Sequence, residues 1–433
     1  MLERFSNHNL HWADPATFAQ RDPHLSRLQE VPLIAPYRFL EVFPVQTPGI
    51  YTLSGGRQLG KTTCLKQLMS MALQDGVKLE HVFYLACDVI LDRSELYEVL
   101  KYFLESHEFE RGYLLIDEVT FVKDWDLTIK AIADEGLLRN VVCCLSGSDK
   151  IILEDAISRL PGRRGTAPVQ DFELKPLIFP EVIVLLSSLP QWRLPLEELF
   201  MHYLKTGGYI VAVNELVRDG EISLATYRTY QQWVVGDFIR LHRTQRNLLQ
   251  ILFSIINTYG SQVSFQTLSE HTDGLSKDTV NEYCGLLERL GVISIQYALD
   301  QNTLRAAPRK HRKVHMLDPF IAHAMHQLVC ERYQRVADID ESLLVESVCY
   351  HHYQRKYPSY YIKAEGEVDI AYIDKQRFFP VEIKWRNKLR AKDLKQIKKY
   401  ENGLILSRQE DDGIIDGVPV TSLIKHLAGF KVV

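Results

Sequence analysis

Apolar residues in the first half of the chain fall into two kinds of run. Ile50-Tyr51-Thr52-Leu53, His81 to Cys87, Tyr113 to Ile116 and Asn140 to Leu145 are short and continuous, the pattern of strands buried on both faces. Between them apolar positions recur at helical spacing. Leu65, Leu68, Met69, Ala72 and Leu73 mark one helix that Gly76 stops, and Leu96, Val99, Leu100 and Phe103 mark another within Ser94 to Ser106. Strands alternating with helices predict an α/β fold on a parallel sheet. The pattern then changes. Residues 182–240 read as helices with short breaks. Val263 to Phe265, Thr267 to His271 and Ser276 to Leu290 read as pieces of a winged helix, with Ser276 as cap and Val280, Tyr283, Leu286, Leu287 and Leu290 as buried face. Gly291 ends that helix, and Val292 to Ile295 reads as a wing strand. Tyr360 to Lys363 and Val368 to Ile373 alternate like strands, Asp374-Lys375-Gln376 turns, and Phe378 to Trp385 returns.

Composition alters this picture little. Hydrophobic and charged fractions of 46% and 24% are those of an ordinary soluble protein. A net charge of -4 gives no global reason to expect nucleic acid, so any such surface must be local. Seven scattered cysteines form no C-x-x-C pair, which argues against a disulfide framework or a zinc site. No signal peptide and no apolar run of membrane-spanning length is evident. The expectation is a cytoplasmic protein without a membrane partner.

Chemistry enters at Gly55-Gly56-Arg57-Gln58-Leu59-Gly60-Lys61-Thr62, which fits G-x-x-x-x-G-K-[ST] between a strand and a helix. Glycines let backbone N–H groups wrap a polyphosphate at a helix N-terminus. These eight residues and Thr63 are the expected ATP contacts. Lys61 would reach the β- and γ-phosphates, and Thr62 would hold Mg²⁺. Tyr113 to Ile116 runs into Asp117-Glu118, as a Walker B strand does, making Asp117 the second Mg²⁺ ligand and Glu118 the group that polarises water. Asn140 to Leu145 ends in Ser146-Gly147-Ser148, where Ser148, ahead of Ser146, is the candidate polar sensor. In Arg159 to Gly165 an arginine could stabilise transition-state charge, in cis or across a subunit interface. Arg163 is taken as the candidate, with Arg164 left open.

Ser54 to Thr62, Ile116 to Val119, Asp124-Trp125, Ser146 to Ser148 and Pro176 to Glu181 together resemble a prokaryotic group of AAA-type ATPases with a restriction-endonuclease-like C-terminal half. Thr206-Gly207-Gly208-Tyr209 and Leu317-Asp318-Pro319 are similar to its later landmarks. Gly56 departs from the proline frequent there, though either residue allows the loop. The resemblance implies a helical lid over the nucleotide and a P-loop AAA-type core. The expected boundaries are an N-terminal extension 1–45, a P-loop ATPase core 46–175, a helical lid 176–245, a winged helix 246–320 and a nuclease-like α/β domain 321–433.

The C-terminal part carries a second candidate site. On a hairpin, Asp369 and Glu382 stand side by side, with Lys384 on the face of Glu382. Two carboxylates sharing Mg²⁺ or Mn²⁺, plus a lysine, make a phosphodiester-cleaving site, and Glu346 could add a third acid. The set looks like the PD-(D/E)XK nuclease pattern. Gln396 and Tyr400, four apart on an expected helix, are similar to the Q-x-x-x-Y element of RecB-type members. Pro380 sits awkwardly in a central strand, and His351-His352 reads as surface. Arg305 to Lys313 holds five Lys/Arg and no acid, a candidate phosphate-contacting wing. The expected function is an Mg²⁺-dependent ATPase acting on nucleic acid, DNA ahead of RNA, with homo-oligomerisation open. The alternative is a nucleotide-dependent switch whose C-terminal domain binds a partner or DNA without cutting.

Overall fold

The computed structural model describes residues 1–364 and 366–431. The apolar runs become one sheet. β1 (Gly49–Gly55), β2 (Val82–Ala86), β3 (Gly112–Asp117), β4 (Val141–Gly147) and β5 (Asp171–Leu174) lie in the order β2-β3-β4-β1-β5, every neighbouring pair parallel. Every residue of β1, β3 and β4 is buried, which is why these segments show no polar alternation. β5 is the edge strand that the apolar runs did not reveal, because its four residues alternate exposed and buried. On one face of the sheet, Phe83, Leu85, Leu114 and Ile116 share a core with helix Arg93–Glu105 and helix Trp125–Asp134.

Residues 1–45 are not an appendage to this sheet. Phe5 joins the core and meets Phe83 edge-on at 5.7 Å, while Trp12 stacks on the same ring at 5.8 Å. The Asn9 side chain donates to the Tyr84 carbonyl (2.9 Å) and accepts from the Tyr84 N–H (2.8 Å), imitating a further strand beside β2. Residues 1–175 form one compact unit and residues 176–433 a second.

The second unit begins with helices Phe179–Ser187, Leu196–Thr206, Ile210–Asp219 and Leu224–Arg240. Helices Gln245–Asn257, Phe265–Glu270 and Lys277–Arg289 follow, the last capped by the Ser276 hydroxyl accepting from the Thr279 N–H (3.1 Å). β6 (Ile293–Tyr297) then pairs antiparallel with β9 (Arg312–Met316), and short β7 (Leu299–Asp300) and β8 (Arg305–Ala306) lie between them. Beyond helices Pro319–Cys330 and Glu341–Gln354 comes a mixed sheet. It contains β10 (Ser359–Lys363), β11 (Glu367–Asp374), β12 (Arg377–Lys384), β13 (Leu404–Ser407), β14 (Gly413–Ile415) and β15 (Val418–Ser422), in the order β10-β11-β12-β13-β15-β14. Pro380 stands opposite Ala371, one position before β12 begins its pairing with β13 at Val381. At that point β12 has one neighbour, so the missing donor is tolerated. Gln396 and Tyr400 do not share a helix face. They flank a 3-10 turn, Ile397–Lys399, that follows the short helix Ala391–Leu394.

Three landmarks far apart in the chain meet in this unit. The Gly208 N–H donates to Asp318 Oδ2 (2.8 Å), and the Leu177 N–H donates to the Gly208 carbonyl (3.0 Å). A Cβ on Gly208 would stand 1.9 Å from the Leu177 carbonyl oxygen, and one on Gly207 would stand 1.7 Å from Asp318 Oδ1. Only glycine permits that approach. No helix among the described residues is long and apolar enough to cross a membrane.

His352, expected at the surface, is 1% exposed. Its Nδ1–H donates to the Val348 carbonyl (2.7 Å) and its Nε2 accepts from the Phe179 N–H (3.0 Å), partners that select the neutral ring. Burial pushes its pKa down to about 3. The folded value lies below the unfolded one, so this histidine contributes stability above its ordinary value of 6.5 that is lost as pH falls toward 3. Denaturant titrations across that range should show it. Below pH 6.5 His352→Asn should flatten the dependence by one proton's worth, about 1.4 kcal/mol per pH unit.

Candidate active site

β1 ends at Gly55 and a helix starts at Lys61; the loop between them needs backbone angles that side chains resist. Gly55, Gln58 and Gly60 have φ of 150°, 61° and 90°. A Cβ on Gly55 would come within 2.6 Å of the Leu174 carbonyl of β5, whereas Gly60 is a glycine for conformation. Lys61 Nζ donates back to the carbonyls of Gly55 (2.9 Å) and Gly56 (3.2 Å) and lies 3.3 Å from Glu118 Oε1. Arg57, Gln58, Gly60, Lys61, Thr62 and Thr63 border one side of a cavity of about 540 Å³, and Asp117 and Glu118 border another. Gly55, Gly56 and Leu59, also expected at the nucleotide, do not border the cavity, and Leu59 is 2% exposed.

Asp117 is the centre of the polar network. Its Oδ2 accepts from the hydroxyls of Thr62 (2.6 Å) and Tyr84 (2.8 Å), and its Oδ1 from the Ser146 hydroxyl. Glu118 follows in a left-handed conformation, φ 50° and ψ 46°, which costs a non-glycine residue about 1–2 kcal/mol. That turn lets its N–H donate to Ser146 Oγ (3.0 Å) and its carboxylate accept from the Ser148 N–H (3.1 Å).

Two expectations change here. Ser146, ranked second, is the serine whose hydroxyl reaches Asp117. The Ser148 hydroxyl is buried without a partner among the described residues, and this residue reaches Glu118 through its main-chain N–H. Neither arginine of the later loop borders the cavity of its own chain. Arg163 pairs with Asp134, and Arg164 is held by Asp171 (2.7 Å) and the Ile50 carbonyl (3.3 Å). The cis placement is therefore not observed.

Sequence reasoning also missed residues. Lys66 Nζ lies 3.2 Å from Asp22 Oδ2, donates to the His8 carbonyl (2.5 Å) and sits 3.8 Å above the Tyr84 ring. Burial lowers its pKa, with Asp22 opposing. Burial, then the Asp117 charge, pushes the Tyr84 phenol far up, so it stays a donor. Asp22, Lys66, Tyr84 and His8 all border the cavity. A signal existed: Asp22-Pro23 is a helix start, with Asp22 accepting from the His24 and Leu25 N–H groups.

The second candidate site lies on β11 and β12. Their register pairs Ile370 with Val381, so Asp369 and Glu382 fall opposite one step along. Asp369 Oδ2 accepts from the Ile383 N–H (2.8 Å), and Lys384 Nζ lies 2.5 Å from Glu382 Oε1 and 3.8 Å from Asp369 Oδ2. Burial, then Asp369, pushes the Glu382 carboxyl up to about 8, and the same causes push Glu346 up to about 7. Glu346 is not a free third acid. It accepts from Lys313 Nζ (2.6 Å), an ammonium that also pairs with Glu367 and lies 3.6 Å from Asp369 Oδ1. Glu367 went unnoticed in the sequence because it precedes the apolar run of its strand. Lys313 was assigned to a phosphate-contacting wing, yet it is 1% exposed. Its neighbour Arg312 turns inward as well, stacking 4.1 Å from the Phe265 ring.

Residues 47–183 match the family model described as an AAA domain. Within the N-terminal unit, residues 47–175 are similar to AAA-type P-loop ATPase domains. Residues 197–331 match a domain of unknown function (DUF8612). An uncharacterized protein of Haemophilus influenzae is 25% identical over 257 residues, spanning 56% of this chain and 60% of that relative's length. Among solved structures, a Walker-type ATPase of Pyrococcus abyssi aligns with TM-score 0.46 at 15% identity, over 70% of this chain and 95% of the other. The ORC1 protein of Aeropyrum pernix in complex with DNA aligns at 0.34 and 13%, over 70% and 91%. AMPPCP-bound DnaA from Aquifex aeolicus aligns at 0.33 and 16%, over 59% and 89%. Likenesses this distant carry no argument about function.

The AAA-type domain's residues fit a Mg²⁺–nucleotide. Thr62 and Asp117 supply hard oxygen donors 2.6 Å apart, and the N-terminus of helix Lys61–Gln74 faces the same cavity as Lys61. Tyr84 stabilises the Asp117 carboxylate from β2, and a hydrogen bond to a charged group contributes about 1.5–3 kcal/mol. Tyr84→Phe should lower the unfolding free energy of the AAA-type domain by that amount in urea. An unchanged midpoint would show the bond to be energetically idle.

Proposed function

We propose that this chain hydrolyses ATP with Mg²⁺ and uses the turnover to control a nuclease-like domain acting on nucleic acid, DNA ahead of RNA. The meeting of Lys61, Thr62, Asp117 and Glu118 on one cavity carries this reading. A phosphate-binding lysine, two metal-binding oxygens and a nearby carboxylate are the parts phosphoryl transfer needs. Mg²⁺ bound through Thr62 and Asp117 would neutralise phosphate charge. Lys61 exchanges its contacts with the Gly55 and Gly56 carbonyls for phosphate oxygens. Glu118, held by the Ser148 N–H and Lys61, orients the attacking water and takes its proton. Ser146 keeps Asp117 and the Glu118 main chain in place. Arg163 or Arg164 would serve the nucleotide of a neighbouring copy, so a homo-oligomer is part of the reading.

Asp369, Glu382 and Lys384 support the other half of the proposal. Two adjacent carboxylates and a lysine suit metal-assisted phosphodiester cleavage with a second Mg²⁺ or Mn²⁺. Their oxygens are hard donors, and Glu382 Oε2 is buried without a hydrogen-bond partner among the described residues. One observation favours the alternative of a switch with a non-cutting C-terminal domain: the Lys313 ammonium already neutralises part of this acidic cluster.

The test is ATP turnover with and without DNA or RNA. Glu118→Gln should retain nucleotide binding and lose about 10²-fold or more in rate, whereas Lys61→Ala should lose binding as well. Asp369→Ala should keep any stimulation by nucleic acid and abolish cleavage. A purified protein that hydrolyses no ATP with Mg²⁺ under any of these conditions sinks the proposal.

A further inference from the structure

Lys313 occupies the middle of the acidic cluster. Glu346, Glu367 and Asp369 each offer a carboxylate oxygen, and the three oxygens lie within 4.8 Å of one another. Lys313 Nζ is 2.6 Å from Glu346, in contact with Glu367 and 3.6 Å from Asp369. A divalent ion bound by these oxygens would sit about 2.0–2.6 Å from each. That position overlaps the ammonium, and two cations in one buried space repel. Metal and lysine are alternatives there.

The lysine is delivered by a docked element. Gln296, opposite Lys313 in the β6–β9 register, donates through Nε2 to the carbonyls of Asp369 (2.8 Å) and Tyr360 (3.1 Å). The Tyr361 hydroxyl donates to the His311 carbonyl (2.5 Å). These bonds tie the β6–β9 hairpin to β10 and β11. A second observation concerns the carboxylate opposite Asp369 across the β11–β12 register. Glu382 is 7% exposed, and its Oε2 has no hydrogen-bond partner among the described residues.

We infer that Lys313 is a built-in counter-cation which keeps divalent metal out of the Glu346–Glu367–Asp369 cluster, so that this becomes a metal site only when the hairpin withdraws the lysine. The inference rests on the nuclease-like reading of the surrounding sheet, but it concerns metal occupancy and is tested separately from cleavage. Three carboxylates left facing each other would attract one hard divalent ion. The hairpin then acts as a gate on the site.

The experiment uses the full chain without nucleotide and Mn²⁺ as probe, with bound ion counted by electron paramagnetic resonance. Lys313→Met should gain one Mn²⁺ at least tenfold more tightly than the wild type, and adding Asp369→Asn should remove the gain. Lys313→Met combined with Glu346→Gln leaves a smaller uncompensated charge. It keeps the test open if the single variant fails to fold, and it too should gain Mn²⁺. A folded variant that binds no more Mn²⁺ than the wild type overturns the gate. So does a wild type that already binds one Mn²⁺ in a manner dependent on Asp369. DNA cleavage separates the two ideas: Mn²⁺ gained without cleavage supports the gate and removes the nuclease reading. Mn²⁺-dependent cleavage by the nucleotide-free wild type, abolished by Asp369→Asn, overturns the gate and keeps the nuclease, whereas cleavage that appears only with ATP agrees with both.

Discussion

The buried carboxylate of Asp117 organises the nucleotide-binding unit. It is 5% exposed at the end of β3, and burying a charge is costly unless hydrogen bonds replace water. Its bonds come from three different segments: Thr62 on the helix after the phosphate loop, Tyr84 on β2 and Ser146 on β4. Sheet order makes this feasible. β3 lies between β2 and β4, and the register Ala86–Asp117 and Ile116–Leu145 brings the two flanking hydroxyl donors alongside. One charge thereby holds loop, sheet and the Glu118 turn together. The N-terminal residues join through Tyr84, whose backbone pairs with Asn9 and whose ring lies beneath Lys66.

Buried polar groups organise the second unit in the same manner. Asp318 receives the Gly208 N–H (2.8 Å) and the Phe320 N–H (2.8 Å), while burial pushes its carboxyl up to about 7. His352 ties the helix Glu341–Gln354 to Phe179. Lys313 links the β6–β9 hairpin to three acids from the helix and strand that follow. Each of these groups joins segments remote in the chain, and each is satisfied by partners of opposite charge or by backbone.

Much of this was legible beforehand, for local reasons. The phosphate loop reads from its glycines because Gly55 and Gly60 adopt backbone angles that few other residues accept. β1, β3 and β4 read from continuous apolar runs because both faces are covered. The turn at Lys375-Gln376 reads from its polar pair between alternating strands, and both residues have positive φ. Failures occurred where a local pattern has several outcomes. A basic stretch is normally solvated, yet Lys313 and Arg312 turn inward; a helical spacing at Gln396 and Tyr400 gave way to a 3-10 turn.

The sequence alone determined the conformations set by neighbouring atoms: the phosphate loop, the buried strands, the capped helix after Ser276 and the hairpin carrying Asp369 and Glu382. Tertiary structure alone decided which polar side chains lost their water and which partners replaced it. Tyr84 became a donor to Asp117, Ser146 outranked Ser148, and Lys313 entered an acidic cluster instead of facing solvent. The physical reason is that burial and charge pairing belong to surroundings assembled from distant segments, and no window along the chain contains those surroundings.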